Sequence, residues 1–171
     1  MRISVREEQP GDAPVIRKVH EQAFGQSQES DIIDKLRRNC SNLLSLVAVA
    51  EDQVVGHILF SPVEIKSEQT IVRGMGLAPM AVLPEFQRQG IGGTLVREGI
   101  KILKRRNCPF VIVLGHAEYY PRFGFEPANR YRIRSEWEVP DDAFMILVLN
   151  PSIMRDVSGV ARYRREFGEA L

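Results

Sequence analysis

The chain has 171 residues, of which 44% are hydrophobic and 26% are charged, and its formal net charge is +1. These values are ordinary for a globular protein, and we expect a single domain over residues 1–171. A net charge near zero gives no electrostatic reason for a nucleic-acid or membrane partner, and we predict neither. The only two cysteines, Cys40 and Cys108, are far apart in sequence, which favours reduced thiols, no metal site and a cytoplasmic location.

The first part of the chain predicts one short strand followed by two helices. Alternating residues predict a strand over 3–5. Asp12 suits the residue that caps a helix, and apolar spacing carries that helix over 13–24. A second helical pattern begins at Ser30 or Asp31.

The periodicity then changes to that of strands. Residues 44–50 and 54–65 flank a tight turn and predict a hairpin. His57 lies between apolar residues of the second arm, and we expect it to be a hydrogen-bonded core histidine. The next strand, 71–83, contains Gly74, Gly76 and Pro79. Such residues inside a strand indicate a bulge, a bend or close packing against the backbone.

The most regular helical pattern covers Gly90–Arg106, between two apolar strands. With the strand Phe110–Leu114, it predicts a β-loop-α-β unit over 75–114 with parallel strands. A last apolar strand follows at 144–149. Beyond it, apolar residues near helical spacing predict a closing helix over 152–167.

The loop before the best helix carries glycines at a helix start, an arrangement that favours anion binding. The P-loop is excluded because no lysine follows a glycine pair at the required spacing. The dinucleotide fingerprint needs a glycine where Leu95 stands, and a six-residue spacer, Pro84–Gln89, separates the strand from Gly90. We therefore expect a pyrophosphate site of a different type.

The run Gln87-Arg88-Gln89-Gly90-Ile91-Gly92 resembles motif A of the GNAT superfamily of acetyl-CoA-dependent N-acetyltransferases. The run Tyr120-Pro121-Arg122-Phe123-Gly124-Phe125 looks like motif B of the same superfamily. The whole chain is similar to its bacterial YhbS-like branch, including the segments 56–63 and 159–163.

This resemblance implies the GNAT acyl-CoA N-acyltransferase fold, an α/β (α+β) architecture. Its central mixed, mostly antiparallel sheet has about seven strands flanked by helices. It also implies direct transfer of an acetyl group from acetyl-CoA to a primary amine in a ternary complex, with no metal, by a monomer or homodimer. The alternative is a catalytically weak or inactive acyl-CoA-binding regulatory module, because residues 74–83 contain no titratable side chain.

By the same resemblance, backbone groups bind the cosubstrate. The loop and helix start would hold the CoA pyrophosphate through Gln87, Arg88, Gln89, Gly90, Ile91, Gly92, Gly93 and Thr94. The preceding strand would pair with the pantetheine arm through Met80, Ala81 and Val82. An N–H group near Met80 would polarise the thioester carbonyl.

Tyr120 matches the family tyrosine that protonates the leaving thiolate, and the alternative is a core tyrosine packed like Tyr119. The general base stays open. His116, just past a strand end, is the nearest candidate, although a loop histidine of no catalytic role fits the same position. Glu118, Glu64 and a water chain to bulk solvent are further candidates.

The acceptor site is expected in the variable segments, which are the helices within 13–40 and the loop 129–142. Trp137 in that loop either lines the acceptor pocket or packs on the surface. Arginines near the C-terminus, at 162, 164 and 165, are typical of a solvated helix face.

Overall fold

The computed structural model of the protein describes residues 2–169. Its strands are β1 (Ile3–Glu7), β2 (Leu44–Ala50), β3 (Gln53–Lys66), β4 (Ile71–Val82), β5 (Phe110–Leu114), β6 (Glu126–Pro127), β7 (Ile133–Ser135), β8 (Phe144–Val148) and β9 (Gly159–Arg162). Its α-helices are α1 (Ala13–Phe24), α2 (Gln28–Asn39), α3 (Ile91–Arg105), α4 (Pro151–Met154) and α5 (Arg165–Gly168). Short 3₁₀ turns cover Pro84–Phe86, Tyr120–Phe123 and Ala128–Tyr131.

These elements form a mixed α/β fold with a nine-stranded, mostly antiparallel sheet, which confirms the predicted fold class. The expected number of strands was about seven, and the two short strands β6 and β7 were not predicted. Each has only two or three residues, which is too short to show an alternating pattern in the sequence.

The described chain divides into two compact units. The first contains the residues up to Phe60, the segment Pro79–Gly99 and the residues from Glu166 onward. The second contains Ser61–Ala78 and Ile100–Arg165. The strands β3 and β4 and the helix α3 each contribute residues to both units. The single domain expected over 1–171 stays a prediction.

In the first unit, β2 pairs antiparallel with β1 on one side and with β3 on the other. Helix α1 covers the predicted range and ends at Gly25, whose left-handed backbone (φ 70°) suits a residue without a Cβ atom. Helix α2 begins two residues before the predicted start at Ser30 and packs against α1. The first turns of α3 pack closely on the sheet, since a Cβ atom on Gly56 would lie 3.2 Å from Leu95.

In the second unit, β4 and β5 pair in parallel through Met75 with Val111 and Gly76 with Ile112. This pairing confirms the predicted β-loop-α-β unit. The strand β8 lies antiparallel between β5 and β6, and β9 pairs antiparallel with β3 and parallel with β7. A Cβ atom on Gly74 would lie 2.6 Å from the ring of Phe110, so the glycines of β4 permit close packing, as expected.

The closing helix predicted over 152–167 is wrong. That segment forms the short helix α4, the strand β9 and the short helix α5. Gly159 interrupts any helix because its φ is +127°, and a Cβ atom there would come within 3.0 Å of the Lys66 carbonyl oxygen. The chain therefore passes against the end of β3 and adds a strand, in which Ala161 is buried and Arg162 is exposed.

Candidate active site

The loop between β4 and α3 is tied back to the end of the strand. The Gln87 side-chain amide donates a hydrogen bond to the Val82 carbonyl at 2.9 Å. Within the 3₁₀ turn, the Phe86 N–H donates to the Leu83 carbonyl at 2.9 Å. These bonds hold the loop in one conformation while its residues 87–90 stay exposed to solvent.

Helix α3 begins with unused backbone donors. Its first i to i−4 bond runs from the Thr94 N–H to the Gly90 carbonyl, at 3.1 Å. The amides of Ile91, Gly92 and Gly93 precede that bond and have no intrahelical partner. Together with the positive end of the helix dipole, three such amides are suited to binding an anion.

The backbone of this loop takes a conformation that most residues avoid. Gly90 has φ +86° and nothing within 4 Å of the position that a Cβ atom would occupy. Arg88, two residues earlier, has φ 63° and is not a glycine. A left-handed backbone costs an ordinary residue roughly 1–2 kcal/mol, so the loop carries local strain.

The strand β4 holds one residue more than the strand opposite it. Near the turn, the Ser67 N–H donates to the Thr70 carbonyl at 3.0 Å, and at the far end the Leu83 N–H donates to the Val55 carbonyl at 2.8 Å. Between these two bonds, the side of β3 spans twelve positions, from Val55 to Ser67. The side of β4 spans thirteen positions, from Thr70 to Leu83. The extra residue of β4 is a β-bulge, which the glycines and proline of this strand had indicated.

All eleven predicted cosubstrate-binding residues lie in the first unit. They occupy two connected segments, the end of β4 at 80–82 and the stretch 87–94 that leads into α3. Within the strand end, Ala81 is buried whereas Met80 and Val82 are partly exposed.

Tyr120 lies in the second unit, in a 3₁₀ turn that ends at Gly124, whose φ is +98°. Its ring is packed edge-on against Tyr119 and Phe125, with centroids 5.0 and 5.7 Å away. On another side, a Cβ atom on Gly115 would come within 3.0 Å of the Tyr120 ring. Glycine at 115 is therefore what allows the ring its position.

The Tyr120 phenol is only 8% exposed, and its hydroxyl hydrogen-bonds to no described residue. Burial, with a smaller effect from Tyr119, raises the pKa of Tyr120 to about 12. The phenol is consequently protonated throughout the neutral range. A side chain in this state can donate a proton but cannot serve as a base.

The candidates for the general base differ in their surroundings. His116 is exposed, and its carbonyl accepts hydrogen bonds from the Tyr119 and Tyr120 N–H groups at 3.1 and 3.4 Å, so it belongs to the Tyr120 turn. Glu64 is paired with Arg73 at 3.1 Å. Both groups lie in the second unit.

His57 is fully buried and both ring nitrogens are hydrogen-bonded, which confirms the expected core histidine. One partner, His20, was not predicted, and it is also fully buried. Its position one turn after Ile16, beside Val19 on the apolar stripe of α1, is the sequence signal that marks it as an inward residue.

Both segments expected to bind the acceptor contain a cavity within their own unit. In the first unit, a cavity of about 350 Å³ lies at the junction of α1 and α2, next to Asp31 and Lys35. In the second, a cavity of about 150 Å³ is lined by residues of the loop 129–142, including Trp137. The Trp137 indole stacks on Tyr163 with a centroid distance of 5.0 Å.

Residues 2–169 offer neither a metal site nor a membrane-spanning helix. That range holds no group of three or more histidine, cysteine, aspartate or glutamate side chains placed to bind a metal ion. Over the same residues, every helix is too short or too polar to span a bilayer. Cys40 and Cys108 are free thiols, and burial raises the pKa of Cys108, as expected for a packed residue.

Comparison with known proteins gives sequence matches along most of the chain. Residues 4–128 match the family model of the Acetyltransferase (GNAT) domain. The uncharacterized N-acetyltransferase YhbS of Escherichia coli K12 is 33% identical over 164 residues, which cover 95% of this chain and 97% of that protein. The uncharacterized N-acetyltransferase YjhQ of the same organism is 48% identical over 118 residues. That match covers 68% of this chain but 65% of YjhQ, which is less than two thirds of its length.

Two solved structures are similar over nearly the full length. One is the GNAT family N-acetyltransferase YhbS from E. coli in complex with CoA, with a TM-score of 0.91 and 32% identity over 98% of this chain and 92% of that chain. The other is a GNAT family acetyltransferase from Brucella melitensis in complex with acetyl-CoA, with a TM-score of 0.79 and 36% identity over 97% of this chain and 98% of that chain.

Proposed function

The chain belongs to the GNAT acetyltransferase family, and from this premise we propose that it transfers an acetyl group from acetyl-CoA to a primary amine. The transfer is direct, within a ternary complex of protein, acetyl-CoA and amine. The observation that carries the proposal is the set of unused amides at the start of α3, which suits a pyrophosphate. The two similar structures that contain CoA or acetyl-CoA support the same ligand.

In this proposal the first unit binds the cosubstrate. The amides of Ile91, Gly92 and Gly93 hold the pyrophosphate, with the rest of the segment 87–94 forming the loop around it. The glycines permit the phosphates to approach the backbone closely. Arg88 adds a positive charge to the same loop.

The end of β4 binds the pantetheine arm and the thioester. A peptide-like arm pairs with the backbone of 80–82 as an added strand does. An N–H near Met80 polarises the thioester carbonyl and stabilises the oxyanion that forms on attack. The extra residue of β4 supports this role, because a bulge leaves backbone groups of the strand outside the regular ladder.

Tyr120 is the proposed general acid. When the amine nitrogen has bonded to the carbonyl carbon, the carbon–sulfur bond breaks and the thiolate takes the phenol proton. The raised pKa keeps that proton on Tyr120 at neutral pH, so the phenol is in the form that can donate it. His116, in the same turn, is one candidate for the general base. If it has that role, His116→Ala lowers the turnover of an acceptor that binds as an ammonium ion.

The acceptor is a primary amine, and the proposal does not specify the molecule that carries the amino group. The candidate positions for its binding are the cavity next to Asp31 and Lys35 in the first unit and the cavity lined by Trp137 in the second. The free thiols suit a cytoplasmic location, and a monomer or homodimer is expected. The alternative function, an acyl-CoA-binding regulatory module, is favoured by the absence of a titratable side chain in residues 74–83.

A titration followed by a kinetic assay separates these functions. Calorimetry with acetyl-CoA should show binding, and a panel of amines should then release free CoA, measured through its thiol. Absence of binding at millimolar acetyl-CoA would reject both functions. Binding without CoA release across the panel would reject the enzyme and leave the regulatory module.

A further inference from the structure

A hydrogen-bonded series of four side chains runs through the first unit from Glu8 to His20. The Ser45 hydroxyl donates to Glu8 at 2.6 Å and lies 2.8 Å from His57 Nε2. His57 Nδ1 lies 2.8 Å from His20 Nε2. Both histidines are fully buried, whereas the Glu8 side chain is 20% exposed. The series, which we call the Glu8–His20 chain, therefore joins the interior to solvent.

The direction of every hydrogen bond in the chain is set by Glu8. Arg37 donates two hydrogen bonds to the Glu8 carboxylate, at 2.9 and 3.1 Å, and an ionised carboxylate can only accept. Ser45 has one hydrogen, which it donates to Glu8, so its oxygen accepts from His57 Nε2–H. The neutral His57 then has a bare Nδ1, which accepts from His20 Nε2–H.

This sequence of bonds leaves a basic nitrogen at the inner end. With its proton on Nε2, a neutral His20 has a lone pair on Nδ1. That atom is buried and has no hydrogen-bond partner among the described residues. A buried acceptor without a donor is unfavourable, so the arrangement suits a donor that arrives with the ligand.

The Glu8–His20 chain lies beside β4, the strand that is proposed to hold the thioester. The bond from the Leu83 N–H to the Val55 carbonyl fixes the antiparallel register of β3 and β4 in the first unit. His57 therefore lies across from the segment 80–81 of β4. Residues opposite each other on paired strands are roughly 5 Å apart between Cα atoms. Consistent with this, a Cβ atom on the neighbouring Gly56 would lie 3.4 Å from the Ala81 carbonyl oxygen.

We propose that the Glu8–His20 chain accepts the proton that the ammonium form of the acceptor loses before acetyl transfer. This inference rests on the proposed function. Before attack, the bound ammonium loses one proton through a bridging water to His20 Nδ1, which frees the nitrogen lone pair that bonds to the carbonyl carbon. The second proton, lost once the nitrogen has bonded, replaces the one that Tyr120 gives to the thiolate. His20 Nε2–H moves to His57 Nδ1, His57 Nε2–H moves to Ser45, and the Ser45 hydroxyl proton moves to Glu8. One proton enters at His20 and one arrives at Glu8, which returns it to solvent.

Burial suits the histidines to this transfer. Burial, followed by the charge of Arg37, lowers the pKa of His20 to about 4, and burial lowers that of His57 well below its usual range. Both rings are neutral at neutral pH, so a proton crosses them by exchange of tautomers and no imidazolium accumulates. His20, His57 and Ser45 are thus positioning residues for the transfer, because the bridging water and not the amine touches His20.

Nitrogen-15 NMR of the native protein tests the direction of the chain without any acceptor. The expected spectrum shows His20 and His57 neutral at pH 7, each with its proton on Nε2. A proton on Nδ1 of either ring would contradict the hydrogen-bond directions of the Glu8–His20 chain and would overturn the proposal.

The kinetic test compares two probe amines at saturating acetyl-CoA. n-Butylamine is an ammonium ion at pH 7, whereas methoxyamine is neutral. Ser45→Ala should lower turnover of n-butylamine roughly a hundredfold and that of methoxyamine by no more than about threefold. Ser61→Ala, which removes a buried strand hydroxyl outside the chain, is the matched control and should leave both rates unchanged. If Ser45→Ala does not fold, Glu8→Gln keeps the side-chain shape and removes the charge that sets the direction.

The outcomes separate this inference from the proposed function. No release of CoA by the native protein with either probe would reject transfer to these amines and the proton chain with it. If the native protein turns over n-butylamine and Ser45→Ala or Glu8→Gln leaves that rate unaltered, the Glu8–His20 chain is rejected while the proposed function stands. Loss of n-butylamine turnover in His116→Ala but not in Ser45→Ala would assign the base to His116 and overturn the proposal.

Discussion

The start of α3 and the Tyr120 turn present two different kinds of chemistry. At α3 the functional groups are the backbone amides of Ile91, Gly92 and Gly93, which follow the exposed loop 87–90. At Tyr120 the functional group is one buried phenol, held by aromatic rings and by a glycine at 115. In the proposed function, the first region binds through the path of its backbone, and the second acts through the position of one side chain.

This difference determines what a substitution can damage. A backbone site loses function when the path of the chain changes, whichever side chain causes the change. A side-chain site loses function when the group itself is removed or displaced. In the proposed reaction, the first kind of damage should appear in the affinity for acetyl-CoA and the second in the turnover rate.

Removing the phenol hydroxyl gives the largest expected effect. Tyr120→Phe should lower kcat roughly a hundredfold, because a general acid contributes at least this much, while the affinity for acetyl-CoA stays the same. The measurement is CoA release at saturating cosubstrate, with calorimetry for affinity. Tyr119→Phe removes the neighbouring hydroxyl and should retain turnover. Equal rates for Tyr120→Phe and the native protein would remove Tyr120 from the acid role.

Displacing the same ring should have a smaller effect. Gly115→Ala places a methyl group where the Tyr120 ring lies, so the ring must move. We expect kcat to fall roughly tenfold, and the free energy of unfolding to fall by about 1–3 kcal/mol. Gly168→Ala, at a position with nothing within 4 Å, is the control and should change neither quantity. A fully active Gly115→Ala would show that the ring position does not matter.

Altering the loop backbone should affect the affinity for acetyl-CoA and the stability, but not the turnover rate. Gly90→Ala and Gly11→Ala both place a methyl group at a positive φ, +86° and +97°, with free space around it. Each should reduce the free energy of unfolding by roughly 1 kcal/mol. Only Gly90→Ala should also weaken acetyl-CoA binding, by roughly fivefold, with kcat retained at saturation. Equal affinity of the two variants for acetyl-CoA would contradict a pyrophosphate site at this loop.

The smallest expected effect is on the pH at which the Tyr120 phenol ionises. An ordinary tyrosine ionises near pH ~10. Because burial raises the pKa of Tyr120 to about 12, its phenol should keep its proton at pH 10, and ionisation should begin only as the pH approaches that value. Carbon-13 NMR of the labelled tyrosine Cζ atoms follows each phenol directly. A Tyr120 signal that titrates near pH ~10 would show that the phenol is not buried as described.

Features that depend on local sequence were predicted well. The bounds of α1 and β5 match the prediction, since Gly25 ends the helix and an unbroken apolar run marks the strand. The glycine loop before α3 was also predicted, because the signals for a helix start and for anion binding lie within a few consecutive residues.

Features that depend on contacts between residues distant in sequence were not predicted. The segment 152–167 has helical spacing of its apolar residues, but the structure of its residues 159–162 is decided by pairing with β3, about a hundred residues earlier. Likewise, His20 and His57 are 37 positions apart, and no local pattern shows that one ring faces the other. The roles of Tyr120, His116 and the residues of the glycine loop stay predictions, because they depend on ligands.

The left-handed backbone of Arg88 limits how this sequence can drift over evolutionary time. A glycine or asparagine at this position would relieve the strain at φ 63°, and selection for stability alone would favour that exchange. Either replacement would also remove a cation from the edge of the proposed phosphate site. If the loop binds CoA, position 88 is under two opposed selective pressures. Lineages that have lost catalysis should accumulate glycine there first.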